Sequence, residues 1–149
     1  MMKKDRTCKF LLLAGLVAIL AIPAAAQTPR LTADIPFEFI AAGKTMPAGE
    51  YTVSDIANLP CVVISGWVQG TRENVVFLTQ RAQPMNSAQN SRLVFNKYGD
   101  KYFLAEIWGF ANELGWRVPQ SRLEREAART AMRVSPPSEQ EVVTILARR

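Results

Sequence analysis

Leu93-Val94-Phe95-Asn96-Lys97-Tyr98-Gly99-Asp100-Lys101-Tyr102-Phe103-Leu104-Ala105-Glu106-Ile107-Trp108 is the stretch whose reading decides the fold. Two apolar and aromatic runs flank a Gly-Asp pair, which is the composition of a tight hairpin turn. Simple alternation in the second arm puts Tyr102, Leu104, Glu106 and Trp108 on one face. Phe103, Ala105 and Ile107 then share the other face. Both faces are mostly apolar, so this arm is predicted to be a central strand covered on each side.

Working outward toward the N-terminus, Leu31, Ala33, Ile35, Phe37 and Phe39 alternate with polar residues as a half-buried strand does. Pro36 interrupts that run without a donor N–H, which points to an edge or a bulge. Met46-Pro47-Ala48-Gly49 suits a turn, and Tyr51 to Ile56 reads as the next strand. Cys61 to Ser65 and Asn74 to Thr79 are two more, with the polar segment 66–73 between them. Residues Arg81 to Ser91 have the composition of a solvated loop, and residues 109–119 read as irregular.

Toward the C-terminus, Ser121-Arg122-Leu123-Glu124 is a capping box, and it predicts a helix running to about Met132. Leu123, Ala127 and Ala131 form its apolar stripe, with Ala128 and Met132 beside it. Pro136-Pro137 stops further helix, and Val142 to Leu146 is a final strand able to close a sheet. The expected fold is therefore mainly β: an antiparallel sandwich or small barrel with one C-terminal helix.

The first 26 residues have a separate purpose. A basic opening (Lys3, Lys4, Arg6, Lys9) precedes an uncharged apolar run from Phe10 to Ile22, then Ala24-Ala25-Ala26. These are the three regions of a cleavable secretory signal, and the run is too short for a bilayer-spanning helix. Residues 27–149 are expected to form a single β-rich domain that is exported to the periplasm or the exterior. The chain has 18 basic and 13 acidic residues; subtracting the leader's four and one leaves 14 and 12, a net charge of +2. That balance argues against a nucleic-acid partner. Beyond the leader Cys61 is the single cysteine, so no disulfide can form within the domain. Its apolar neighbours Val62-Val63-Ile64 suit a buried small hydrophobe.

The absence of histidine excludes a Ser–His–acid hydrolase, a Cys–His protease and any histidine-bound metal. No CxxC and no glycine-rich phosphate loop is present, and no cofactor or metal is expected. Glu106, between Leu104 and Trp108, is the candidate catalytic acid if burial raises its pKa. The competing reading is a carboxylate paired with an arginine. Trp67 after Gly66 and Trp116 after Gly115 are the candidate binding residues, as flat faces for a sugar or peptide. Tryptophans so placed also commonly cover a core, and Trp108, Tyr98 and Phe110 extend the set. The helix arginines Arg122, Arg125 and Arg129 either form a basic stripe for an acidic envelope polymer or a solvated, mutually screened face.

Several of these segments resemble a family of small exported bacterial proteins without assigned function. Ile35-Pro36-Phe37-Glu38-Phe39 is similar to its IPF-x-F segment, and Met46-Pro47-Ala48-Gly49-Glu50-Tyr51 to its PAG-x-Y segment. The hairpin is similar to LVF-x-x-YG-x-x-YFL-x-x-IW, and Pro119 to Glu124 to P-x-S-x-x-E. The resemblance spans Ala33 to Ala127 and implies export and a compact β domain, with no activity attached. Asn96 stands where some relatives have histidine, which argues against a shared histidine chemistry there.

Taken together, the residues point to a non-enzymatic binding or scaffolding protein of the cell envelope. An envelope glycan, peptide or protein is the expected partner, with membrane contact only through the leader before cleavage. The alternatives are a carboxylate-dependent hydrolase centred on Glu106 and a carrier of a hydrophobic small molecule.

Overall fold

A computed structural model describes residues 30–56, 59–83, 90–109, 115–134 and 141–148; the segment 1–26 expected to be a secretory signal and Phe110 fall outside them. In chain order the strands are β1 (Arg30–Ile35), β2 (Phe39–Ala41), β3 (Lys44–Met46), β4 (Gly49–Asp55), β5 (Cys61–Val68) and β6 (Thr71–Leu78). There follow β7 (Gln80–Ala82), β8 (Arg92–Tyr98), β9 (Lys101–Trp108), β10 (Gly115–Arg117), the helix α1 (Arg122–Val134) and β11 (Glu141–Leu146). The fold is mainly β, as the patterning predicts. A four-stranded sheet runs β1-β4-β5-β6, and a curled seven-stranded sheet runs β11-β8-β9-β10-β7 with β2 and β3 joined to it through β9.

The single N-terminal strand expected over Leu31–Phe39 is divided between the two sheets. Pro36 sits at the division, where its missing N–H costs no ladder bond: β1 pairs β4 while β2 pairs β3 and β9. The polar segment 66–73 is also more ordered than its composition suggests. Strands β5 and β6 run on to a two-residue turn at Gln69 and Gly70, both at positive φ (49° and 81°).

The β8–β9 hairpin forms in the expected register, with Tyr98 opposite Lys101 and Gly99 at φ 59°. It carries one feature that alternation hides. Val94 faces Glu106 but Phe95 faces Leu104, so Ala105 is an extra residue on β9. Beyond this bulge the faces exchange. Leu104 and Ile107 both lie in the core, while Glu106 and Trp108 share the outer face. Leu104 is therefore not on the face of Glu106 and Trp108, as strict alternation would have it.

Between the sheets lies one core. Tyr51, Phe39, Phe95, Ile35, Met46, Ile64, Leu93, Leu104 and Ile107 are fully buried. Phe39 meets Tyr51 and Phe95 edge to face at centroid distances of 5.1 and 5.5 Å, and Phe37 stacks on Tyr102 at 4.0 Å. The sheets are joined along one side by Thr32 and Arg148, whose backbones exchange two hydrogen bonds of 2.7 Å. On the other side an ion pair, Lys44 to Glu73 at 2.6 Å, spans β3 and β6.

The helix lies on the outer face of the larger sheet, over β8. Ser121 caps it, its Oγ accepting from the Glu124 N–H at 3.1 Å. Its docking side is Glu124, Ala127, Ala128 and Ala131, while Leu123 and Met132 are left exposed. The expected stripe is thus rotated. The cause is Glu124, whose carboxylate accepts a 2.8 Å bond from Asn96 Nδ2 on β8 and draws that side of the helix inward.

Candidate functional site

Glu106 stands on the outer face of β9 just past the bulge. Its Oε2 accepts from the Trp108 indole N–H at 2.9 Å, and its Oε1 from Arg117 Nε and Nη2 at 3.2 and 3.1 Å. Arg117 reaches it because β10 pairs β9 with Arg117 opposite Glu106. Both carboxylate oxygens are engaged, one by a cation. This is the geometry of a structural ion pair, and with its arginine in solvent it contributes about 0.5 kcal/mol. Trp108 completes the cluster: its ring lies over Gly115, where a Cβ would overlap it, and Arg92 covers the other side at 5.6 Å.

Trp116 lies in β10 rather than in an irregular segment. It pairs with Ile107 and points into the core, 8% exposed, with the Arg81 guanidinium 5.8 Å from its ring centroid. Trp67 is placed quite differently. It belongs to β5, opposite Arg72 on β6, and is 71% exposed. The two tryptophans therefore do not form one site.

Around Trp67 the register of β5 and β6 assembles a surface. Trp67 with Arg72, Ser65 with Asn74, Val63 with Val76 and Cys61 with Leu78 all project from the solvent side of the smaller sheet. Cys61 is half-buried on this outer side, not interior as its neighbours imply, because Val62 and Ile64 take the core positions of the alternation. The surface divides in two: an indole beside hydroxyl, amide and guanidinium groups at one end, and exposed Val76 and Leu78 at the other. Such a strip can stack on a flat apolar face and hydrogen-bond polar groups around it.

One carboxylate does have a perturbed environment, and its sequence signal was only that of a cap. Glu124 is 3% exposed, and burial pushes its carboxyl above the ordinary range; the Asn96 amide and the Ser121 backbone pull it part of the way back. Tyr98, close to it, is pushed up by burial first and by the Glu124 charge second. Among the described residues no group of His, Cys, Asp and Glu is arranged to hold a metal ion. Nor, among them, is any helix long and apolar enough to cross a membrane. No known protein family, curated protein or solved structure matches the chain.

Proposed function

We propose that the domain from Gln27 onward is an exported, non-enzymatic binding protein of the cell envelope, and that it engages its ligand through the outer side of the β5–β6 hairpin. The observation that carries this reading is Trp67, held 71% exposed on a strand in a sheet whose other faces bury their large aromatics. Leaving an indole in water forgoes roughly 3 kcal/mol of burial at ~25 cal/mol per Å². A ligand that covers it recovers that free energy without ordering a loop. The polar neighbours Ser65, Asn74 and Arg72 favour a glycan, whose ring stacks while its hydroxyls bond to them.

Export rests on the leader, and on the likeness of the IPF, PAG and hairpin segments to those of exported proteins. The aromatic packing between the sheets supports binding on the outside over carriage within, and the doubly engaged Glu106 supports binding over hydrolysis. Titration of the domain with peptidoglycan-derived oligosaccharides tests the reading. Trp108 and Trp116 are buried, so a change in emission on binding belongs to Trp67 and should vanish in Trp67→Ala with circular dichroism unchanged. Turnover of glycan or ester substrates that Glu106→Gln abolishes would overturn it.

A further inference from the structure

On the opposite side of the sandwich from Trp67, the exposed ridge of α1 carries Arg122, Arg125, Arg129 and Arg133. Their spacings of three, four and four residues keep all four on one helical face over about 16 Å of axis. A solvated face screened by its own acids requires a carboxylate for each cation, and that condition is not met. Arg122 pairs with Glu126 at 2.9 Å, and Arg125 donates to the Gln120 carbonyl at 3.0 Å. Arg129 and Arg133 have no acidic partner among the described residues.

The other acid of the helix, Glu124, is turned inward to Asn96 and is unavailable to them. Sheet residues reinforce the imbalance. Arg92, Lys101 and Arg117 join the helix arginines on this side, against Glu106, Glu124 and Glu126. On the outer side of the smaller sheet the excess is smaller: Arg30, Arg72 and Arg148 stand against Asp34 and Glu50, with Arg148 4.0 Å from Glu50. The fold thus gathers on one ridge a positive charge that composition alone dilutes to +2.

From this row we infer that α1 is a binding site for a linear anionic polysaccharide. Guanidinium groups in single file match carboxylates repeated along a polymer, each able to accept two parallel N–H bonds. Met132, 73% exposed next to the row, and Leu123 on its other flank offer apolar contact to the C–H faces of sugar rings. A ridge one helix wide suits a chain better than a bilayer, whose headgroups lie in a plane. The site is independent of Trp67.

Fluorescently labelled polygalacturonate, titrated into the domain and followed by anisotropy at low salt, is the test. Wild type binds with an affinity that falls as salt rises, and Arg129→Gln with Arg133→Gln weakens it about tenfold. Trp67→Ala leaves it unchanged, which separates this site from the glycan surface on the far side. Because both arginines are exposed, thermal melts should coincide with wild type. Undiminished affinity in the double variant would overturn the inference, as would equal binding of neutral dextran. Sedimentation with phosphatidylglycerol vesicles without binding of polygalacturonate would assign the ridge to a membrane and overturn it too.

Discussion

Gly66 shows how a single atom can be decisive. It pairs with Tyr51 across β4 and β5, and a Cβ at Gly66 would overlap the Tyr51 ring. That ring is fully buried and cannot yield, because its hydroxyl donates to the Pro47 carbonyl at 2.7 Å and its edge meets Phe39. Gly66→Ala should therefore destabilise the domain by about 1–3 kcal/mol, read as a lower denaturant midpoint with an unchanged slope. Equal midpoints would mean that the ring has room to move. Nothing in the sequence distinguishes Gly66 from a turn glycine, since its partner stands 15 positions away across a ladder. The partner of Glu106 was hidden in the same way. Arg117 lies on β10, a strand of three residues that is too short to show any periodicity.

Among the elements, long regular runs were the legible ones. The hairpin turn, the strands around Tyr51 and Cys61, the capped helix and the final strand all follow from alternation, caps and turn residues. Strands β2, β3, β7 and β10, three residues each, give no such signal. The bulge at Ala105 was invisible because it breaks the period from which faces are inferred. In α1 the capping box was readable, but the inward course of the Glu124 side chain depends on Asn96, 28 residues away. Burial of the Glu124 carboxylate, which outweighs the opposing pull of the Asn96 amide, makes helix docking pH-dependent. The folded-state pKa of Glu124 is raised, so its contribution is fully present below the ordinary glutamate pKa and is lost as pH rises through the folded value. Glu124→Gln removes the titration. The stability of wild type relative to Glu124→Gln should fall as pH climbs from about 4 toward neutrality. A constant difference in denaturant midpoint would show that the carboxylate titrates normally.

For the whole molecule, the two sheets are stitched along one side by Thr32 and Arg148, and the Ala147 N–H, donating to the Ser91 carbonyl at 2.8 Å, ties the segment that carries Arg148 to the larger sheet. Deleting residues 147–149 removes three backbone hydrogen bonds and frees the β1 edge. A loss of about 2–3 kcal/mol should follow in denaturant melts; an unchanged midpoint would show the stitch to be dispensable. The stitch also sets a clock. Residue 148 is translated long after residue 32, and a contact between them cannot form before both exist. During synthesis the first strand can pair with β4 on one side only, its other edge waiting until residue 148 has been made. Closure of the two sheets along that side is thus a contact of long sequence separation, and it is among the later ones to form.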